Sequence, residues 1–225
     1  MDHTGSRHRQ SSTVEYLYPN KKEMAVRPSI PHLSLPLSVG IAFVPGREKK
    51  YDSFPLSEAK KMELMTVVAE RFKGHAFISK IELIPSTYLV PGGGFRNLDQ
   101  MQAMLGIDVI ALIGYDQIQY TEEDFLALSY WTIVGAYLIR GEKNDTATMI
   151  DTSVFDIKSR KLLFRAPGTS QIAHRATPVN LGESLRKDAE SGLSEANELM
   201  ITNLERELTN FKVRVKKAPK EYKIV

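Results

Sequence analysis

From residue 181 to residue 211 the apolar positions Leu185, Ala189, Leu193, Ala196, Met200, Leu204, Leu208 and Phe211 return every three or four residues. That spacing puts them on one face of a 3.6-residue helix and predicts a long amphipathic helix whose stripe covers a sheet. Upstream the pattern changes. Residues 37–44 (LSVGIAFV) and 107–115 (IDVIALIGY) are short, nearly unbroken apolar runs rich in β-branched side chains, as expected of buried strands. Between them, Ser57 stands where a helix cap belongs, ahead of Met62, Met65, Val68, Ala69 and Phe72 at helical spacing, with Gly74 placed to end the helix. Residues 77–90 alternate weakly and predict a second strand, with Pro85 marking a break or an edge. Asn97 followed by Gln100 resembles a capping box for a helix carrying Leu98, Met101, Met104 and Leu105 and ending at Gly106.

The order so far is βαβαβ. Residues 130–140 and 146–157 are again β-rich and flank a hairpin signature at 141–145, and a turn at 158–160 leads into a further strand at 161–171. The predicted fold class is therefore α/β, a mixed sheet with a βαβαβ core, antiparallel edge strands and a long C-terminal amphipathic helix. Residues 1–36 hold Pro19, Pro28, Pro31 and Pro36 and no sustained periodicity, which predicts an extended arm without helix or strand. The predicted division is an arm at 1–36, one domain at 37–211 and a basic tail at 212–225.

Charge alters the functional picture. The chain has 30 basic and 27 acidic side chains, for a net charge of +3 and a pI near 8.9. The excess sits at the ends, most of all in Lys212, Arg214, Lys216, Lys217, Lys220 and Lys223, while the centre is slightly acidic. A phosphate-tracking groove needs a basic face on the fold, so no nucleic-acid partner is expected. The basic tail is read as a solvated linker rather than a headgroup-binding segment. No cysteine occurs, which removes disulfides, thiolate zinc sites and cysteine nucleophiles together. No apolar run is long enough to span a membrane, and residues 1–10 lack the apolar core of a signal peptide.

Candidate chemistry is sparse. The Gly92–Gly93–Gly94 loop precedes a helix, but no Lys-Ser/Thr follows it and the third glycine position of a dinucleotide fingerprint holds Asn97. His3, His8, His32, His75 and His174 are scattered without metal-ligand spacing. Ser153 and Ser170 lie outside any nucleophile elbow and read as outward polar positions on strands. Glu122, Glu123 and Asp124 offer paired carboxylates, yet directly after Thr121 they suit the start of a short helix. Trp131 beside Tyr130 reads as a half-buried strand residue rather than an interface anchor. The expectation is no catalytic residue, no metal and no cofactor.

Three stretches carry a family likeness: residues 5–19 (GSRHRQSSTVEYLYP), 28–45 (PSIPHLSLPLSVGIAFVP) and 89–94 (LVPGGG). With them the chain resembles the rhombotarget lipoproteins of Gram-negative bacteria over nearly its whole length. The element order with strands near 148–157 and 161–171 also resembles, in architecture only, the periplasmic domain of the curli secretion lipoprotein and of lipoprotein activators of penicillin-binding proteins. The rhombotarget resemblance implies a lipid-modified cysteine just before the first residue and a Gly-Gly sorting tail, cut by a rhomboid-type protease, just after the last. Neither lies within these residues, so the chain is expected to be the soluble part. The resemblance thus implies a periplasmic, membrane-anchored, non-enzymatic protein that binds an envelope protein or assembles as a homo-oligomer. The rivals are a hydrolase of envelope polymers, which needs acids or histidines gathered in one cleft, and a small-ligand carrier, which needs a large apolar pocket.

Overall fold

The centre of the molecule is the most apolar stretch of the chain. In the computed structural model, which describes residues 7–19, 29–46, 56–119, 145–173, 181–218 and 220–224, strand β5 (Val109–Gln119) is buried along its entire length. Its first half pairs in parallel with β3 (Leu37–Phe43), with Val39 opposite Val109 and Phe43 opposite Ile113. Strand β4 (Ile78–Ile84) runs parallel to β3 on its far side. The opposite edge of β5 carries β6 (Asp145–Asp156), which pairs antiparallel with β7 (Lys161–Ala173). The order β4-β3-β5-β6-β7 is thus a mixed sheet with a parallel core and an antiparallel flank.

Because β4 and β5 flank β3 on opposite sides, right-handed crossovers send the two connecting helices to opposite faces. Helix α2 (Glu58–Phe72) takes one face; the Ser57 side chain caps it by accepting from the Lys60 N–H. Helix α3 (Gly94–Leu105) takes the other and ends at Gly106 in the left-handed conformation. The long helix α4 (Leu181–Lys217) lies on the α2 side. Every member of its apolar stripe from Leu185 to Phe211 is buried except Leu208, which is half-buried against the same core. Two glycines let α4 come close to the sheet. A side chain on Gly168 of β7 would run into the Ala196 carbonyl and the Met200 backbone, and one on Gly192 of α4 would lie 2.7 Å from the Thr148 hydroxyl.

Several segments depart from the sequence reading. The expected arm contains β1 (Arg7–Ser11) and α1 (Thr13–Leu17). The strand pairs antiparallel with the second half of β5, on the edge that β3 leaves open, with Ser11 opposite Tyr115. Tyr16 and Leu17 are buried with Leu98, Ile110 and Phe155 in the second core. Apolar burial thus offsets the ordering of a segment whose composition alone argued against order. Residues 212–217 continue α4 instead of forming a tail, and basic residues in the last turn complement the helix dipole. Beyond it β8 (Lys223–Ile224) pairs in parallel with β2 (His32–Leu33), and Tyr222 is buried. The strand expected over 77–90 stops at Ile84, and Pro85 starts a 3-10 turn, Ser86–Tyr88. Asn97 is not a cap: it lies inside α3, buried, and the N-cap is Gly93 without a side-chain bond. The strand at 130–140 and the hairpin signature lie outside the described residues, apart from Asp145, which opens β6.

Candidate functional site

On the α2 side of the sheet the two covering helices are tied together along part of their length. The Asn197 amide donates to the Leu64 carbonyl at 3.3 Å, and the Arg71 guanidinium meets Glu205 at 2.7 Å. Toward the C-terminal ends of both helices lies a cavity of about 340 Å³. Its floor comes from Val39 and Ile41 of β3, Val109 and Ala111 of β5 and Val154 of β6. Its walls come from Val68 and Phe72 of α2 and from Leu204, Leu208 and Phe211 of α4. Leu33 of β2 and Ile224 of β8 close in beside it. Small and β-branched residues on the floor leave room that longer side chains would fill, and the size lies within the roughly 300–1,000 Å³ of ligand pockets.

Among the described residues the only polar side-chain groups on this lining belong to Lys212 and Lys216, one helical turn apart on α4. Lys212 Nζ lies 4.2 Å from the centre of the Phe77 ring, a cation–π contact that holds the ammonium at the cavity edge. Both lysines are exposed, and among the described residues neither makes an ion pair. The arrangement is an apolar chamber with two available cations beside it. Among the described residues no hydroxyl, carboxylate or imidazole lines it.

A second concavity, of about 490 Å³, lies on the opposite face beside α1. Ser11, Thr13, Gly114, Tyr115, Met149, Asp151, Ser153 and Arg165 are among its residues. Asp151 and Arg165 pair across β6 and β7 at 2.6 Å. Burial pushes the Asp151 carboxyl above the usual carboxylate range, and the Arg165 hydrogen bond and charge offset this only in part. Val14, Tyr18 and Leu162 stand around it, 68%, 36% and 43% exposed.

Among the described residues the nearest approach to a nucleophile arrangement is Ser86 between Lys61 and Glu58. Lys61 Nζ donates to Ser86 Oγ at 2.9 Å, and Ser86 Oγ donates to Glu58 at 2.5 Å while the Ser86 N–H reaches the same carboxylate at 2.7 Å. Burial acts to raise the Glu58 carboxyl, but the two Ser86 bonds and Lys61 outweigh it and hold it below its ordinary value. Ser86 Oγ is thus held between a donor, Lys61, and an acceptor, Glu58, with its own hydrogen directed at the carboxylate. The cluster fastens the turn after β4 to the start of α2.

Of the residues singled out in the sequence, those that are described do not meet. Glu122, Glu123, Asp124, Tyr130, Trp131 and His174 lie outside the described residues. His75 stacks on Phe77 with ring centres 5.0 Å apart, and His32 is exposed on β2. Among the described residues no three histidines or carboxylates gather as a metal would require. Ser153 and Ser170 are buried, contrary to the outward positions expected of them, and Ser170 Oγ donates to the Gly192 carbonyl of α4 at 2.7 Å. The glycine loop at 92–94 packs under α1, with the Leu17 carbonyl 3.1 Å from where a Gly94 side chain would begin. The cavity was missed because its lining is drawn from segments far apart in sequence, each an ordinary core position taken alone. No helix among the described residues is long and apolar enough to cross a membrane.

Comparison with known proteins gives structural likeness only. No protein-family profile matches the chain, and no curated protein matches it. Among solved structures, the PelC dodecamer from Paraburkholderia phytofirmans is similar at 11% identity over 87% of this chain and 98% of that one, with a TM-score of 0.34. A point variant of the same PelC matches at 12% identity over 72% and 92%, with a TM-score of 0.31. Lipoprotein GNA1162 from Neisseria meningitidis matches at 13% identity over 68% and 96%, with a TM-score of 0.29. Likeness at this level transfers no function to the chain.

Proposed function

We propose that this chain is the periplasmic domain of a lipid-anchored envelope protein of the rhombotarget type and that it acts by binding, not by turnover. One observation carries the binding reading: the chamber between α2 and α4 is lined by apolar side chains apart from Lys212 and Lys216 at its edge, with no hydroxyl, carboxylate or imidazole among the described residues. Such a site is suited to taking up an apolar body, with the two lysines at its edge. This is the pocket that the small-ligand carrier reading requires. The uncharged probe N-phenyl-1-naphthylamine is expected to brighten on binding the purified domain at one site, and Ala111→Phe, which places a ring on the cavity floor, is expected to abolish the signal. Probe binding unchanged in a folded Ala111→Phe domain counts against the cavity. Reproducible hydrolysis of peptidoglycan, peptide, ester or nucleotide, lost on one substitution at Glu122, Glu123, Asp124 or His174, would restore the hydrolase.

A second reading rests on the opposite face. Val14, Tyr18 and Leu162 form an exposed apolar rim around a partly polar hollow, a composition suited to an envelope protein or a second copy of the chain. Sedimentation velocity is the test of self-assembly. A concentration-dependent oligomer should dissociate in Leu162→Glu, and a strict monomer at all concentrations leaves only the protein partner.

A further inference from the structure

The structure assigns the cavity between α2 and α4 to a single alkyl chain carrying an anionic head, the chemistry of a long-chain carboxylate. The inference rests on the binding reading and adds the identity of the ligand class. The chamber itself selects only for an apolar body, since its floor and walls are aliphatic and aromatic. What selects the head is at the rim. Lys212 and Lys216 follow one another by a single turn of α4, both border the cavity, and neither is neutralised by a carboxylate among the described residues. The last turns of a helix favour basic residues in any case, which accounts for Lys216 and Lys217. That preference does not account for Lys212 being held over the Phe77 ring at 4.2 Å, at the edge of an apolar chamber. A carboxylate head placed there gains two charge-assisted hydrogen bonds while its chain leaves water. A neutral ligand gains only the second part.

The full chain is tested by calorimetric titration with dodecanoate and, in parallel, dodecanol. Dodecanoate is expected to bind at one site and more tightly than dodecanol. Lys212→Glu combined with Lys216→Glu removes a favourable helix-end charge and the Phe77 contact, so the melting temperature should fall by a few degrees with the cooperative transition kept, while dodecanoate binding weakens about tenfold or more and dodecanol binding holds. In a series from octanoate upward, each added methylene should tighten binding about fourfold until the chamber is full, after which the gain stops. Adsorption to an outer surface gives no such limit. Equal affinity for the acid and the alcohol, unmoved by the charge reversal, overturns the anionic head and leaves the apolar cavity standing. If neither ligand binds, the cavity reading falls with it. A second copy as the occupant would appear as a dimer that dodecanoate fails to dissociate, and that result also overturns the proposal. Should Ala111→Phe fail to fold, Leu208→Trp at the half-buried wall provides the filled cavity, and an unaltered chain-length limit in it counts against the site.

Discussion

Asn97 shows how a single side chain can read one way in sequence and act another way in the fold. A short polar residue three positions before a glutamine near a helix start is the pattern of a cap. Here its Oδ1 accepts the Tyr16 hydroxyl at 2.9 Å and the Val90 N–H at 2.8 Å, and its amide nitrogen donates to the Tyr88 carbonyl at 3.3 Å. One amide thereby joins α1, the loop after β4 and α3. Its most distant partner lies 81 residues away, so no local pattern announces it. Asn97→Ala leaves the buried Tyr16 hydroxyl and the part-buried Val90 N–H without their acceptor, and urea unfolding should show a loss of about 1–3 kcal/mol. Tyr16→Phe removes only one of these groups together with its need for a partner, and should cost less. A loss below about 0.5 kcal/mol in Asn97→Ala would mean the network is not formed. Asp151 supports a second expectation. Burial raises its carboxyl in the folded state, so the native protein keeps that proton to higher pH than the unfolded chain does. Its stabilising contribution is present below the unfolded carboxylate range, about pH 4, and is lost as pH rises through the raised native value. In Asp151→Asn this component of the pH dependence should vanish. Parallel stability profiles for the two proteins from roughly pH 3.5 to 7.5 would show that Asp151 does not titrate differently on folding.

At the scale of elements, what was legible is what has a period or a punctuation mark. The α4 stripe, the Ser57 cap, the Gly106 stop and the break at Pro85 all rest on local rules and all appear in the structure. The mixed sheet with its βαβαβ core follows from the order of those elements. Two features needed the tertiary context. Strand β5 runs on past its apolar stretch to Gln119 because the Gln117 and Gln119 amides donate to the Ala189 and Leu185 carbonyls of α4, at 2.9 and 2.5 Å. Polar residues that looked like the end of a strand are buried there because the helix satisfies them. The close crossing of α4 over β7 likewise depends on Gly168, whose neighbours Ala196 and Met200 come from a different element further along the chain. Met200 is fully buried on the main stripe, so Met200→Asp places an unpaired carboxylate in the core and should abolish the cooperative thermal transition. Leu193→Ala, a cavity change without charge, should cost about 2–5 kcal/mol and retain the transition. A Met200→Asp protein melting within a few degrees of the parent would mean that the stripe does not face the core.

Over the whole molecule, the largest disagreement with the sequence concerns the ends of the chain. Prolines and sparse apolar residues describe an arm, yet Arg7–Leu17 completes both the sheet and the second core. Tyr16 and Leu17 are too few to form a periodic pattern, and the surface that receives them is built from β3, β5, β6 and α3. The C-terminal end is held similarly, with Tyr222 against Phe211 in the first core and the Lys223 N–H donating to the Pro31 carbonyl at 2.9 Å. Such end segments exchange with solvent only when the surface they cover is exposed, so their protection measures how far the fold behaves as one cooperative unit. The amides of Tyr16 and Tyr18 bond to the Ser12 and Val14 carbonyls at 3.0 and 2.9 Å and lie over that buried surface. In native-state hydrogen exchange they should be protected to a level near that of the β5 amides, and far more than an unpacked arm allows. Removing residues 1–19 strips Tyr16 and Leu17 from the second core, at about 1.5–3 kcal/mol for each buried side chain, and should lower the melting temperature while raising the binding of apolar dyes. Free exchange at Tyr16 and Tyr18, together with an unchanged melt after truncation, would return this segment to the arm that its prolines describe.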